Sequence, residues 1–535
     1  MMLTNFRRGF ACPTRSRISL FNKSHTSPVA IASLSTTTSF AWLDEQTGMY
    51  KNFVNGQFVS STSAGETLPV KNPATNDVIG YVPETTVSEF DQVVADAQQY
   101  FEDEWKYVPV QQKQRIMLKY QQKIRDYTDD IATLITLENG KTFTDAKGDV
   151  FRGLEMVESA CFLSPHLLGD SLSNISSTMD CVTYREPLGV CAGICPFNFP
   201  AMIPLWMFPL AITAGNTFVM KPSEKTPGAA LLLAQLAYEC GVPEKALQVV
   251  HGSKPLVDQI CTHPSIRAIS FVGSNVAGEY IHQQGSSHGK RVQANLGAKN
   301  HGVILPDADR EATTKALVGA AFGAAGQRCM ALSTLVLVGS AQEWIYDIVE
   351  QASKLKVGYG MDESSDLGPV ITPESKKRIE AIIDQAVQQG AILALDGRQN
   401  VSVPGYPNGN FINPTVLSNV SPTNICYTEE IFGPVLVCLS VDTLEEAIDV
   451  IRKSPYGNGC ALFTSSGSAA RKFSSEVPVG QVSSRISSSL KKRARGLFFN
   501  MCSTATNSQN LMSTIIVFMI KDWHQRTDPG ALTDV

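Results

Sequence analysis

The sequence predicts an α/β protein in which helices cover both faces of parallel sheets. From residue 188, short apolar runs such as "LGVCAGI" and "NTFVMKP" alternate with helix-sized runs such as "GAALLLAQLAYECG". The alternation resumes at "HGVILP" and continues to about Gln481, which indicates a second α/β region. Strands that alternate with helices form right-handed βαβ units around a parallel sheet. Ligands of such sheets bind at the carboxyl ends of the strands.

The residues before this alternation predict helices. Between residues 86 and 140 apolar side chains recur at helical spacing, and a second helical pattern starts at Val110. The Asn-Gly pair at 139–140 predicts the end of this helical region. The residues expected on one face of the first helix are Phe90, Val93, Val94 and Ala97.

Three further segments differ from the alternating regions. Residues 1–43 lack Asp and Glu and are rich in Arg, Ser and Thr, as in a mitochondrial transit peptide; a tail with no targeting role is the alternative. Residues 171–188 predict a polar hairpin that projects from the globule. Residues 483–535 begin Ser-rich and basic and show no alternation, which predicts a disordered tail.

Composition excludes several classes of protein. The chain has 535 residues, enough for roughly two to four domains. A formal charge of −5 gives no basic surface for nucleic acid, and no apolar run is long enough to span a membrane. The 12 cysteines include no CxxC pair, so no metal site is expected and most are predicted to be reduced, buried thiols.

Two polar residues stand where chemistry is feasible. Cys329, in "GAAGQRCMALS", lies between a helix-like and a strand-like run, and Arg328 beside it would favour its thiolate. Asn198, in "CPFNFP", could direct an amide donor at a developing oxyanion. Taken singly, a buried structural cysteine and a turn-forming asparagine are the more common explanations.

Three loops could hold a nucleotide. Lys221 and Glu224, in "MKPSEKTP", follow a strand and could hydrogen-bond ribose hydroxyls, although surface charges are the more common explanation. Ser274, in "FVGSNVAG", is the expected N-cap of a helix whose amino end could accept a pyrophosphate, although a capped helix needs no ligand. Glu430, in "EEIFGPV", could accept from a hydroxyl or lie in a solvated loop.

Taken together, these strings identify a family. In chain order, "PFNFP", "MKPSEKTP", "FVGS", "NLGAKN", "GQRCMALS" and "EEIFGPV" resemble the aldehyde dehydrogenase superfamily over about residues 50–481, and within it the CoA-acylating semialdehyde dehydrogenases. The resemblance implies an aldehyde dehydrogenase-like fold with a Rossmann-type NAD-binding domain, an α/β catalytic domain and a small oligomerisation hairpin. The implied bounds are 44–170 and 189–297 for NAD binding, 298–482 for catalysis and 171–188 for the hairpin.

The resemblance also implies roles for single residues. Cys329 is similar to the family's nucleophile, and Asn198 to the side-chain donor of its oxyanion hole. Arg152 and Arg328 are similar to a pair that holds a substrate carboxylate, for which guanidinium groups are suited; salt-bridged surface arginines are the alternative. The residues implied to bind the cofactor are Phe197, Lys221, Glu224, Lys225, Ser274, Leu296, Glu430 and Phe432. The charge of Glu224 disfavours a 2′-phosphate, which favours NAD over NADP.

Asn295, in "VQANLGAKNHG", stands where similar strings of the family carry an acid that activates water. An amide cannot accept a proton near neutral pH, whereas the thiol of coenzyme A needs less activation than water does. The resemblance therefore implies NAD- and CoA-dependent oxidative decarboxylation of methylmalonate semialdehyde to propionyl-CoA, and of malonate semialdehyde to acetyl-CoA. This reaction belongs to mitochondrial valine and pyrimidine catabolism.

Two alternatives remain open at this point. One is a hydrolytic aldehyde dehydrogenase whose base comes from elsewhere in the chain, and the other is a protein made inactive by its altered C-terminus. The resemblance implies a homotetramer assembled partly by a terminal strand that joins the hairpin. No such strand is recognisable in residues 483–535, so the hairpin would present an open edge.

Overall fold

The computed structural model describes residues 41–63, 67–399 and 401–486. Most of the predicted transit peptide, and the predicted tail from residue 487, lie outside the described residues. Trp42 and Leu43 are buried in a core cluster, where the Trp42 ring stacks on Tyr50 with centroids 5.4 Å apart. Two large apolar side chains within the predicted leader therefore pack against the described fold, and the end of the leader at residue 43 stays a prediction.

The described strands form two large sheets and two small antiparallel pairs. The strands are β1 (Asn52–Val54), β2 (Gln57–Val59), β3 (Thr67–Lys71), β4 (Val78–Pro83), β5 (Ser171–Ser176), β6 (Met179–Val182), β7 (Val190–Ile194), β8 (Thr217–Lys221), β9 (Leu247–Val249), β10 (Ile266–Val272), β11 (Arg291–Asn295), β12 (His301–Ile304), β13 (Thr334–Val338), β14 (Ile392–Leu395), β15 (Thr415–Ser418), β16 (Val435–Val441), β17 (Gly459–Thr464) and β18 (Gln481–Ile486).

Helices pack on both large sheets. They are α1 (Val87–Asp103), α2 (Val110–Asp126), α3 (Thr128–Asn139), α4 (Phe143–Cys161), α5 (Met202–Thr213), α6 (Gly228–Glu239), α7 (Lys254–Thr262), α8 (Asn275–Ser287), α9 (Arg310–Phe322), α10 (Ile345–Ser353), α11 (Pro373–Gln388), α12 (Ile425–Thr428), α13 (Leu444–Arg452) and α14 (Gly467–Glu476). None of the described helices combines the length and the apolar character that crossing a bilayer requires.

The helices predicted before residue 140 are present. Thr86 and Glu89 form a reciprocal capping box at the start of α1, and the predicted face of α1 is buried. The helix α3 ends at Asn139, and Gly140 adopts a left-handed conformation with φ of 88°. The predicted Asn-Gly stop is confirmed.

The first large sheet has the strand order β11-β10-β7-β8-β9-β1-β2, in which β7 to β11 run parallel. Along β7, Cys191 belongs to one core cluster, whereas Val190 and Ala192 belong to another. Neighbouring side chains on a strand point to opposite faces, so both faces of the sheet are buried. This explains the continuous apolar runs and confirms the predicted α/β class.

The second large sheet has the strand order β14-β15-β16-β13-β12-β17-β18 and is parallel except for β14. The strand β18 pairs with β17 as far as Ile486, beyond the expected boundary at residue 482. That boundary is too early, because an edge strand is held by main-chain hydrogen bonds and tolerates polar residues.

The predicted hairpin is present as β5 and β6, an antiparallel pair outside both large sheets. It is less polar at the surface than expected, because four of its large apolar side chains are exposed. They are Leu172, Ile175, Met179 and Val182. Contiguous exposed apolar side chains are typical of surfaces that contact another protein.

Candidate active site

The first sheet creates a crevice where its strand order reverses direction. The chain passes from β7 through β8 to β9 on one side, and then returns to place β10 and β11 on the other side of β7. Dinucleotides bind at such a switch point, beyond the carboxyl ends of the strands. The segment 195–199 after β7 and the segment 273–274 after β10 both start at this edge.

Lys221 and Glu224 lie together at the carboxyl end of β8. The Lys221 Nζ is 3.5 Å from the Glu224 Oε2 and donates to the Pro222 carbonyl at 2.8 Å. Lys221 is buried, whereas the Glu224 side chain is about one-third exposed. The pair therefore presents a cation and a carboxylate from one turn at the crevice, as the sequence predicted.

Two aromatic rings join the segment after β7 to the second α/β region. The rings of Phe197 and Phe432 meet edge to face with centroids 6.0 Å apart, and the Lys225 Nζ lies 5.4 Å from the Phe197 ring centroid. Phe432 has a φ of 55°, a conformation that is unfavourable for a large side chain. Backbone strain of this kind concentrates at functional sites.

Ser274 lies at the amino end of α8, in a loop for which the sequence offered both a pyrophosphate contact and a simple helix cap. Its hydroxyl accepts from the Ala277 N–H at 3.4 Å, which confirms the predicted N-cap. A Cβ added at Gly278 would lie 1.8 Å from the Leu296 Cδ2, so glycine permits Leu296 to pack closely against α8. The structure thus brings Ser274 and Leu296 to the same end of the sheet.

Glu430 reaches the loop that follows β11. Its Oε1 accepts from the Ala298 N–H at 2.9 Å, and burial raises the pKa of its carboxyl group despite that hydrogen bond. The buried Lys299 donates to the carbonyls of Cys426 at 2.6 Å and Glu429 at 2.7 Å. Desolvation lowers the pKa of Lys299 to about 8. Lys299 therefore connects the segment that carries Glu430 to the loop that follows β11.

Cys329 follows a strained turn. Ala324, Ala325 and Gly326 have φ values of 51°, 53° and 70°, all in the left-handed region. Each non-glycine residue in this region costs about 1–2 kcal/mol, so neighbouring contacts must hold the turn in place. Cys329 is half-buried, whereas eight of the ten cysteines in the described residues are buried. Cys329 is therefore one of the two described cysteines that are not buried, and the other, Cys181, lies on the hairpin strand β6.

Gly326 is the residue of this turn that a side chain would disturb most. An added Cβ would lie 2.0 Å from the Gly433 carbonyl oxygen. We expect Gly326→Ala to lower the free energy of unfolding by about 2–4 kcal/mol and to remove most activity, because steric overlap adds to the cost of a positive φ. Denaturant unfolding and an NADH assay would measure the two effects.

Gly390→Ala provides a matched control, because Gly390 has a φ of 95° but no atom within 4 Å of an added Cβ. It carries the cost of the positive φ without the overlap. Equal destabilisation by the two substitutions would show that the contact with Gly433 is unimportant.

Asn198 contacts the turn that precedes Cys329. Its Nδ2 donates to the Gln327 carbonyl at 3.0 Å, and its own carbonyl accepts from the Lys141 Nζ at 2.5 Å. Lys141 forms an ion pair of 3.0 Å with Asp149, and both side chains are buried. An amide nitrogen carries two hydrogens, so the second can serve an oxyanion next to Cys329. Asn198 therefore contacts the turn two residues before Cys329, although Asn198 and its partner Gln327 are 129 residues apart in the chain.

Arg328 is engaged by a carboxylate. Its Nη2 donates to the Asp145 Oδ1 at 2.6 Å, and the Asp145 Oδ2 accepts from the Ala324 N–H at 3.0 Å. The charge of Arg328 is thus compensated, and the expected help to the Cys329 thiolate is weakened. Arg152 lies seven residues after Asp145 on α4, a spacing that places the two on one face of the helix. The predicted carboxylate clamp remains a prediction.

Asn295 ends β11 and is half-buried, and its carbonyl accepts from the Gly273 N–H at 3.1 Å. The position where similar sequences carry an acid is therefore next to the segment that carries Ser274.

Several site residues were not singled out from the sequence. Asp145, Lys141 and Asp149 come from α4 and the turn before it, and each also bonds a residue more than 50 positions away in the chain. Lys299 lies inside the quoted string "NLGAKN", so its position in a motif was the available signal.

The fold and the site define an enzyme class with a dinucleotide crevice and a cysteine on a strained loop. The Aldehyde dehydrogenase family matches residues 58–495, most of the chain. The chain belongs to the aldehyde dehydrogenase family.

Three relatives are identical to this chain at more than half of the aligned positions. The bovine mitochondrial methylmalonate-semialdehyde/malonate-semialdehyde dehydrogenase (acylating) is 56% identical over 432 residues, which cover 81% of this chain and 80% of the relative. The human protein of the same name is 55% identical with the same coverage. The mitochondrial methylmalonate-semialdehyde dehydrogenase (acylating) of Arabidopsis thaliana is 54% identical over 81% of this chain and 70% of its own.

Two solved structures that are similar to this chain carry the same enzyme name as these relatives. A Sinorhizobium meliloti protein assigned as methylmalonate-semialdehyde dehydrogenase, complexed with NAD, is 40% identical with a TM-score of 0.79, over 82% of this chain and 89% of its own. The methylmalonate-semialdehyde dehydrogenase of Oceanimonas doudoroffii is 42% identical with the same TM-score and coverage. The predicted resemblance and the aldehyde dehydrogenase-like fold are confirmed.

Proposed function

We propose that this chain catalyses the NAD- and CoA-dependent oxidative decarboxylation of methylmalonate semialdehyde to propionyl-CoA, and of malonate semialdehyde to acetyl-CoA. The observation that carries the proposal is a half-buried cysteine on a strained turn that an asparagine amide contacts, together with an amide at position 295. The names of the bovine and human relatives, which specify an acylating enzyme for both semialdehydes, support it.

The reaction begins at Cys329. Its thiolate attacks the aldehyde carbon to form a thiohemiacetal, and the oxygen becomes an oxyanion. The Asn198 Nδ2 and the Cys329 main-chain N–H stabilise that oxygen. The Lys141 Nζ donates to the main-chain carbonyl of Asn198. This hydrogen bond keeps the Asn198 side-chain amide at the turn, so the amide does not have to reorganise during the reaction.

The crevice residues fit a dinucleotide, because a cation, a carboxylate and a capped helix end meet at the strand edge where the sheet order reverses. Lys221, Glu224 and Lys225 would hold the adenosine half, with Phe197 lining the groove and Ser274 near the pyrophosphate. Leu296, Glu430 and Phe432 would contact the nicotinamide half. A bound NAD would supply the hydride acceptor, and loss of hydride from the thiohemiacetal carbon would leave an acyl thioester on Cys329. The residues 44–170 and 189–297 would then form the cofactor domain, and 298–482 the catalytic domain.

The acyl group carries a carboxylate β to the thioester carbonyl, and Arg152 with Arg328 would bind it. Loss of this carboxylate as CO2 leaves the electron pair as an enolate, which Asn198 stabilises until a proton is added. The thiol of coenzyme A then attacks the carbonyl and releases Cys329. This thiol is partly ionised at about pH 8, so it needs no strong base.

Water, in contrast, needs a general base, and the amide of Asn295 cannot serve as one. One observation favours the hydrolytic alternative: the Glu430 carboxylate is folded against Ala298, and burial raises its pKa. A carboxylate with a raised pKa is a better base. The acylating reaction is the stronger proposal, because the same proposal assigns Glu430 to the nicotinamide ribose and the names of the relatives specify an acylating enzyme.

The cellular role follows from the reaction. Substrates of this kind arise in valine and pyrimidine (thymine) breakdown, and the relatives are named mitochondrial, so we place the chain in the mitochondrial matrix. The exposed apolar side chains of β5 and β6 support assembly through the hairpin, which in a family homotetramer joins a neighbouring subunit.

A steady-state assay tests the proposal. Purified protein with methylmalonate semialdehyde and NAD should form NADH continuously only when coenzyme A is present, with one CO2 and one propionyl-CoA for each NADH. An undiminished rate without coenzyme A, with free acid as product, would favour the hydrolytic enzyme. NAD binding without any NADH formation would instead indicate an inactive protein.

A further inference from the structure

We propose that Asn300 and Asn458 are positioning residues that together fix the main chain of Cys329. This inference deepens the proposed function, because it rests on Cys329 being the nucleophile. Neither residue is suggested to touch the substrate. Each acts through the Cys329 carbonyl, and so through the direction in which the thiol points.

Both asparagines donate to one oxygen. The Asn300 Nδ2 lies 2.8 Å from the Cys329 carbonyl oxygen, and the Asn458 Nδ2 lies 3.1 Å from the same atom. A carbonyl oxygen has two lone pairs, so these two donors satisfy its full accepting capacity. Such double acceptance restricts rotation of the peptide unit more than one hydrogen bond does.

The two donors come from rigid elements. Asn300 directly precedes β12 and Asn458 directly precedes β17, and these two interior strands of the second sheet are paired in parallel. The amino ends of neighbouring parallel strands lie side by side. The two amides therefore approach the turn from the same end of the sheet. Groups held on strands are positioned more accurately than groups held on loops.

Each amide has a second partner on the same turn. The Asn300 Nδ2 also lies 3.0 Å from the Ala331 carbonyl oxygen, and the Asn458 Nδ2 lies 2.9 Å from the Met330 sulfur. The two carbonyls determine the orientation of the Asn300 amide, since a flipped amide would direct its oxygen at both acceptors. The clamp therefore covers residues 329–331 and not a single atom.

The orientation of the Asn300 side chain leaves its amide oxygen buried without a hydrogen bond. Asn300 is 2% exposed, and its Oδ1 has no hydrogen-bond partner among the described residues. A buried acceptor without a partner is destabilising. Its retention beside Cys329 is understandable if the donor side of the amide serves the site, where unfavourable features are tolerated.

The strained turn explains why such a clamp is needed. Ala324, Ala325 and Gly326 are left-handed immediately before Cys329, and a turn of this kind relaxes unless its surroundings hold it. Upstream, Gln327 is held by Asn198 at its carbonyl and by the Ile371 N–H at its side chain. Downstream, Asn300 and Asn458 hold residues 329–331, so the cysteine is fixed from both sides.

The test compares Asn300→Ala, Asn458→Ala and the double variant. The readouts are the rate of the first NADH turnover, the pH profile of Cys329 alkylation by iodoacetamide, and the NAD dissociation constant. We expect each single variant to slow the first turnover roughly tenfold or more, because small misplacements of a nucleophile are costly. The double variant should lose less than the product of the two single effects, since both amides act on one oxygen. The alkylation profile should change, while NAD affinity stays the same.

Asn458→Asp separates the loss of the hydrogen-bond donors from the loss of side-chain volume, because it keeps the shape of the side chain and removes the N–H groups. Its first turnover should be as slow as that of Asn458→Ala. Asn216→Ala is the matched control. Asn216 is a buried asparagine at the amino end of β8, and it accepts from the Leu188 N–H at 2.8 Å. It should lose thermal stability with an unchanged alkylation profile.

The outcomes are distinguishable. If Cys329→Ala abolishes turnover but the asparagine variants keep the wild-type first turnover and alkylation profile, the positioning role is wrong and the proposed function stands. If Cys329→Ala retains turnover, the proposed function itself fails. If the asparagine variants change only as Asn216→Ala does, in thermal stability alone, their role is structural and the inference is overturned.

Discussion

Cys329→Ala is expected to lower NADH formation by about 10⁴-fold or more, because removing a covalent nucleophile eliminates the pathway that its partners support. The alanine keeps the backbone of the turn, so both amide donors to the Cys329 carbonyl oxygen remain available. NAD should still bind, since the substitution leaves unchanged Lys221 and Glu224, which are proposed to hold the adenosine half of the cofactor from the first α/β region. Stopped-flow absorbance would follow NADH, and fluorescence titration would measure NAD binding.

Cys161→Ala is the matched control for this experiment. Cys161 is a buried thiol near the end of α4, and burial raises the pKa of its thiol to about 11. A thiol that stays protonated is a poor nucleophile. The control should retain activity and lose only some stability. Substantial NADH formation by the Cys329 variant, or its loss in the Cys161 variant, would remove Cys329 from the mechanism.

Asn198→Ala is expected to lower kcat by roughly 10²- to 10³-fold, or about 3–4 kcal/mol of transition-state stabilisation, as the loss of one oxyanion donor does. The buried Lys141 would still donate to the main-chain carbonyl at position 198, so the fold should survive. NAD affinity should stay constant, because the ring of Phe197 and the Lys221–Glu224 pair are unchanged.

Asn198→Asp refines this experiment. It keeps the volume of the side chain but replaces the donor with a carboxylate, which repels an oxyanion. It should be at least as slow as the alanine variant. A kcat within threefold of the wild type for both variants, with an altered NAD dissociation constant, would reassign Asn198 to cofactor binding.

Much of the fold could be predicted because its signals are local. The strand β7 has no polar side chain because both faces of the first sheet are buried, and the glycine after Asn139 predicts the helix end there. Boundaries were less predictable. Trp42 was assigned to the leader by composition, and β18 continues to Ile486 through main-chain pairing, which polar side chains do not reveal.

The site could be predicted where motifs are contiguous, as at Lys221 with Glu224. Contacts between distant segments could not. Asp145 pairs with Arg328 across 183 residues, and Asn458 reaches the Cys329 carbonyl across 129 residues, so neither partner is visible in a local pattern. The sequence therefore indicated a cation at Arg328 beside Cys329, whereas only the fold shows that the Asp145 carboxylate pairs with it.

The central claim is that an acyl group forms on Cys329 and is transferred to coenzyme A and not to water. The most direct measurement mixes the protein with methylmalonate semialdehyde and NAD, without coenzyme A, and follows the mass of the peptide that contains Cys329. We predict about one NADH per site and a lasting acyl adduct that disappears, with formation of propionyl-CoA, when coenzyme A is added. Decay of the adduct to free acid at the same rate whether or not coenzyme A is present would contradict the account.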